Sequence, residues 1–238
     1  MDEKVTKNIM KYVEGIDNEI IRLPIVLLLD ASASMGKGSV NGVNPIVELN
    51  ESLGRLEQEI REHFDDKTGI DICTIIFNGN GAELYDSPIL PIKKWKAPSL
   101  TAYGKNFMAA GLELAIDMAE EIVRSYLSKD IESYNPWILM FVDSIPADDD
   151  AMIRARQLLK QATRNPHKFL KLWIVASNRA DLIACKSLTF RVLHMKDFNL
   201  GEVLGWSFRI SSFHNSYEEV ALPHNCEAIK DIPNSWEI

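Results

Sequence analysis

The chain has 238 residues, 46% of them hydrophobic and 25% charged, enough for one large domain with a sizeable core and no long disordered tract. Its net charge of −8 argues against a nucleic-acid partner, because phosphate binding needs clustered Lys and Arg in excess. Cys73, Cys185 and Cys226 lie far apart with no CxxC, which suits a reduced, cytoplasmic setting and suggests neither zinc nor a disulfide framework.

Met1 to Ile20 carries several acids and no apolar h-region, so it does not read as a signal peptide. Ile9, Val13, Ile16 and Ile20 recur there at helical spacing. Leu23 to Leu29 follows as a continuous apolar run. It is far too short to span a membrane and suits a central strand covered on both faces. After a polar loop, Ile46, Leu49, Leu53, Leu56, Ile60 and Phe64 mark a helix, and Ile70 to Phe77 a second strand. Ala82 to Leu90 is a shorter, more polar strand whose Pro88 belongs on an edge.

From Gly104 to Leu127, Met108, Leu112, Ala115, Ala119, Ile122 and Tyr126 form the stripe of a long helix. Trp137 to Val142 is another buried strand, Asp149 to Ala162 a helix and Phe169 to Ala176 a strand. Asp181 to Ser187 is a short helix, Phe190 to Leu193 a last strand and Asp197 to Ser212 a closing helix. Strands alternating with helices predict a doubly wound α/β fold: a mainly parallel central sheet with one antiparallel edge strand and helices on both faces. The expected organisation is an N-terminal extension over 1–20, the α/β domain over 21–213, and an extended tail over 214–238 packing on the domain.

Ligands of open α/β sheets bind beyond the carboxyl ends of the strands. Asp30-Ala31-Ser32-Ala33-Ser34 stands at the end of the first central strand. Alternate side chains of an extended segment share one side, so Asp30, Ser32 and Ser34 converge. Hard oxygen donors of this kind suit Mg²⁺ or Mn²⁺. Thr101 precedes the long helix and Asp143 ends the strand Trp137 to Val142, which places oxygen donors from three loops at one sheet edge.

This set resembles the metal-ion-dependent adhesion site of von Willebrand factor A domains. The resemblance implies that Ser32, Ser34 and Thr101 are direct ligands and that Asp30 and Asp143 hold metal-bound waters. Mostly uncharged ligands leave the metal with charge to spare, so a partner's carboxylate can take the open position. Within that superfamily the chain is similar to the bacterial TerY-like (tellurium-resistance-associated) group, which includes the YegL-type proteins. The stretches that carry the likeness are Leu23-Pro24-Ile25 running into Asp30, Pro45 to Asn50, Val142 to Asp149, the late Phe198 to Phe213 helix and Val220-Ala221-Leu222-Pro223. It covers residues 22 to 225. It implies a bacterial stress-response or defence role, with a protein phosphatase or protein kinase as partner. The chain departs from the family pattern at Ser144, where Gly is usual, at Pro98-Ser99-Leu100-Thr101, which lacks paired glycines, and in a long loop from Lys37 to Asn44.

Each of these residues also has a plainer reading. Ser99 or Thr101 can cap the following helix, and Asp148, Asp149 and Asp150 suit an N-cap and first turn. Lys93, Lys94 and Lys96 around Trp95 read as a solvated edge with one anchored ring, or as a partner contact. The histidines at 63, 167, 194, 214 and 224 lack ligand spacing.

Enzymatic readings find less support. A haloacid-dehalogenase phosphatase needs a second Asp where Ser32 stands, and no GxSxG, GxxxxGK[ST] or GxGxxG motif is present. The expectation is therefore a non-enzymatic, metal-dependent protein-interaction module. Its rivals are a metal-dependent hydrolase or phosphatase and a metal-free scaffold.

Overall fold

Every residue of β1 (Leu23–Asp30) is buried, as its unbroken apolar run demands. The computed structural model describes residues 2–38, 44–65, 67–146, 149–164, 170–177, 180–189 and 191–194. Within them β1 lies between two parallel neighbours. β2 (Ile70–Asn78) pairs with it from Leu23↔Ile70 to Asp30↔Phe77, and β5 (Trp137–Val142) from Ile25↔Trp137 to Leu29↔Phe141. Beyond β5 come β6 (Lys171–Ala176) and β7 (Val192–His194), both parallel. The chain thus winds outward from β1 to β2, then returns to the other side of β1 as β5. That reversal is a topological switch point, where the carboxyl ends of the strands open a crevice.

The antiparallel edge runs along β2. The single strand expected over Ala82 to Leu90 is divided into β3 (Gly81–Leu84) and β4 (Leu90–Pro91), both antiparallel to β2. Asp86 turns the chain out of register with φ of 60°, and Pro88 has no N–H for a ladder, so pairing stops between the two.

Alternation along the strands feeds two cores. Val26, Leu28, Cys73, Ile75, Ile138 and Met140 face α1 (Glu3–Val13), α3 (Met108–Leu127) and α4 (Asp150–Arg164), while Ile25, Leu27, Leu29, Leu139 and Phe141 face α2 (Pro45–His63). Pro45 opens α2, where its missing N–H costs nothing. α4 follows the expected acidic start, with Asp149 accepting the Met152 N–H at 2.9 Å. Short α5 (Leu182–Lys186) is capped by Asp181, which accepts from the Ile183 and Ala184 N–H groups. The long helix begins later than its periodicity suggests, at Met108, whose N–H is taken by Asn106. Neither Ser99 nor Thr101 caps it.

α1 belongs to the folded body. Ile9 and Val13 are buried with α3, and the Tyr12 hydroxyl donates to Asp71 Oδ1 at 2.6 Å. Asp71 is fully buried and also receives the Arg22 guanidinium and the Tyr126 hydroxyl. Burial first and the Asp71 charge second hold both tyrosines far above their ordinary range, so they remain donors. This knot ties α1, β1, β2 and α3 together at the end of the sheet opposite the crevice. The expected closing helix over 197–212 and the tail over 214–238 lie outside the described residues.

Candidate functional site

Asp30 is the last residue of β1 and has no exposed surface. Its Oδ1 accepts the Ser32 backbone N–H at 2.8 Å, which bends the chain so that alternate side chains stay on one side. Ser32 and Ser34 thereby bring their hydroxyl oxygens to 3.0 Å from each other. Asp30 Oδ2 has no hydrogen-bond partner although it is buried. An orphaned carboxylate oxygen in a protein interior costs free energy unless something meets it. Burial pushes the Asp30 carboxyl up to about 6, against the opposing pull of Ser32, and the neighbouring charge of Asp143 adds to the rise.

Asp143 follows β5 directly and is 5% exposed. Its Oδ1 accepts the Ser177 hydroxyl at 2.6 Å, and the Ser177 N–H bonds to the Val142 carbonyl. Ser177 stands just past the end of β6, so three adjacent parallel strands each contribute a polar residue at the same edge. The sequence reading missed Ser177. Its position after the Phe169 to Ala176 run is the signal that could have found it.

Thr101 comes from a loop laid across the Asp30–Gly36 turn. The Tyr103 N–H bonds to the Ala31 carbonyl at 3.0 Å and the Ala33 N–H to the Gly104 carbonyl at 3.1 Å. A Cβ on Gly36 would lie 3.0 Å from the Ala102 Cβ, so the Gly36 backbone lies against the Ala102 side chain. Gly104 packs on Gly79 so closely that a Cβ on either would fall within 2.6 Å of the other's Cα. Gly104 also has φ of 69°. Thr101 is exposed, at the rim of the crevice. The structure therefore brings Asp30, Ser32, Ser34 and Asp143 together in the crevice and sets Thr101 on the loop bonded to the Asp30–Gly36 turn.

Among the described residues no group of three or more His, Cys, Asp and Glu side chains is placed to hold a metal. The donors gathered here are chiefly hydroxyl oxygens with two carboxylates, a set that suits a hard cation such as Mg²⁺ or Mn²⁺ and suits neither zinc nor copper. The orphaned Asp30 Oδ2 fits such an ion or its water shell.

The Lys93–Lys96 stretch is occupied internally. Lys93 Nζ donates to the Arg61 and Phe64 carbonyls at the end of α2, Lys96 pairs with Glu57, and the buried Trp95 indole donates to Thr74 at 2.9 Å. Among the described residues, no helix is long and apolar enough to cross a membrane.

No protein-family model matches the chain, and no curated protein does. Solved structures do. The vWF domain of the type V pili tip protein Mfa5 from Porphyromonas gingivalis aligns at 9% identity with a TM-score of 0.56, over 85% of this chain and 99% of that one. The pilus adhesin SpaC from Lactobacillus rhamnosus GG aligns at 10% identity with a TM-score of 0.56, over 82% of this chain. This chain spans only 30% of the SpaC chain. At such identities the likeness is one of architecture, and the architecture of this chain is that of a von Willebrand factor A domain.

Proposed function

We propose that the chain is a metal-dependent protein-interaction module in which Ser32, Ser34 and Thr101 bind one Mg²⁺ or Mn²⁺ directly, while Asp30 and Asp143 hold its waters. One observation carries this reading: a buried Asp30 oxygen with no partner, beside paired serine hydroxyls and a second buried carboxylate at the switch point. The bound ion would supply an electrophilic point for a carboxylate from outside. The protein's own part is to keep the hydroxyls converged, to hold both carboxyl groups oriented, and to leave one side open. Nothing in this role requires a nucleophile, and we read the domain as a binding protein and not an enzyme.

The finer assignment follows the sequence resemblance. We place the chain in the TerY-like group, as a cytoplasmic component of a bacterial stress-response, tellurium-resistance or defence system, with a protein phosphatase or kinase presenting the acidic residue.

Titration calorimetry with Mg²⁺ and Mn²⁺, comparing wild type with Ser32→Ala and Thr101→Ala, tests the site. The expected result is a single site in the wild type that both substitutions weaken. Absence of heat and of a metal-induced thermal shift in the wild type would sink it. Capture of a candidate phosphatase or kinase with and without chelator then tests the partner, and turnover of a phosphatase substrate that is lost in Asp30→Ala would favour the enzymatic rival.

A further inference from the structure

The stretch that delivers Thr101 runs antiparallel along α2 and is fastened to it at three places. At one end Lys93 donates to the carbonyls of Arg61 in α2 and of Phe64 just past it. In the middle the Ala97 N–H donates to Glu57 Oε2 at 3.0 Å. At the other end Asn50 meets Leu100 twice. Its Oδ1 accepts the Leu100 N–H at 2.8 Å, and its Nδ2 donates to the Leu100 carbonyl at 2.9 Å.

The last fastening differs in kind from the others. A primary carboxamide carries an acceptor oxygen and a donor NH₂ group in one plane, so it can pair with the N–H and the C=O of a single residue as a neighbouring strand would. Both polar groups of Leu100 are thereby fixed, while the Leu100 side chain is 7% exposed in the core against α2. The next residue is Thr101. Its other neighbour, Ala102, is stopped by Gly36. Thr101 is thus held between Leu100, gripped by a side chain fifty positions away, and the Tyr103 N–H bonded to the Ala31 carbonyl.

We infer that Asn50 is the positioning residue for Thr101, setting where the threonine hydroxyl stands relative to Ser32 and Ser34. The inference rests on the metal-binding reading above. It adds a physical link from the site into α2, because any shift of that helix moves the Leu100 backbone through two hydrogen bonds.

The test is a double-mutant cycle on the full chain, with Mn²⁺ affinity read by calorimetry and by the electron paramagnetic resonance signal of free Mn²⁺. Asn50→Leu keeps the branching at Cγ and removes both hydrogen bonds. It should weaken Mn²⁺ binding about tenfold when Thr101 is present, the low end for residues that orient metal ligands. In a Thr101→Ala background the same substitution should cost less than about twofold, since the group it positions is gone. Unfolding midpoints in chelator report the purely structural cost, which should be the same in both backgrounds. Asn50→Ser, which adds neither bulk nor charge, carries the cycle if leucine is not accommodated.

Equal losses of affinity in the two backgrounds, or no loss in either, would overturn the inference while leaving the metal site intact. A wild-type chain that binds no Mn²⁺ would overturn the metal reading itself, and the role of Asn50 with it, before any variant is compared.

Discussion

The Ser177 hydroxyl donates to Asp143 Oδ1 at 2.6 Å, joining the ends of β6 and β5 beneath the crevice. Both residues are almost fully buried, so this hydrogen bond fixes the carboxylate in a place where water does not compete. Ser177→Ala should lower stability by about 1–2 kcal/mol and weaken Mn²⁺ binding roughly tenfold. Urea unfolding in chelator and a Mn²⁺ titration measure the two separately. Lost stability with unchanged affinity would make Ser177 a structural residue only.

Asp30 predicts a pH dependence of defined sign. Its carboxyl rises from the ordinary 3.8 to about 6, because burial disfavours the charged form. A group whose folded pKa is raised binds protons more tightly in the native state. Its favourable contribution is therefore complete below about pH 4 and is lost as pH rises through about 6, a change of about 3 kcal/mol. Without metal, Asp30→Asn should abolish this loss and be the more stable protein at about pH 7.5. With metal the wild type recovers, and its affinity should fall as pH drops below about 6, where protons compete. A flat stability profile between these pH values in chelator would contradict the assignment.

Arg22 and Asp71 form a buried ion pair, 5% and 0% exposed, with two tyrosine hydroxyls completing the set. Removing one charge strands the other, so Arg22→Met should cost about 3–5 kcal/mol. Tyr12→Phe removes one donor from an already charged acceptor and should cost about 1.5–3 kcal/mol. Tyr12 is the hydrogen-bonding contact from α1 to this set, so Tyr12→Phe should also speed hydrogen exchange in α1 more than in α2. Uniform exchange changes would show that the hydroxyl does not dock that helix.

Two glycines should respond oppositely to alanine. Gly104 has φ of 69°, and its Cβ would fall 2.3 Å from the Gly79 Cα, so Gly104→Ala should cost about 3 kcal/mol and displace the Thr101 loop. Gly54 sits inside α2 with nothing within 4 Å of a Cβ, and Gly54→Ala should stabilise by about 0.5–1 kcal/mol. Thermal unfolding of the two variants checks the pair. Mn²⁺ affinity should fall only in the first.

Much of this is legible in the amino-acid sequence. The apolar run into Asp30 announced a strand buried on both faces, and the strand-end rule put Asp30, Ser32, Ser34 and Asp143 at one edge. The residues that hold them were not legible. Asn50 lies on a helix at a position that periodicity marks merely as polar, and Ser177 follows a strand like any loop serine. α3 starts later than the periodicity suggests because Tyr103 and Gly104 bond to the Asp30–Gly36 turn, Gly104 has φ of 69°, and Asn106 takes the Met108 N–H; helical spacing does not record such competition. The Ala82 to Leu90 strand was read whole because alternation does not show where pairing with β2 breaks at Asp86 and Pro88.

The sequence by itself determined the order of strands and helices, since hydrophobic period is a local property of the chain. It also determined which oxygens stand at strand ends. Tertiary structure decided that β1 lies between β2 and β5, so that Asp30 and Asp143 face each other across a switch point. It decided, too, that Asp30 Oδ2 is left without a partner and that α2 grips Leu100. These depend on contacts between residues far apart in the chain, where burial and hydrogen-bond geometry, and no local pattern, set the outcome.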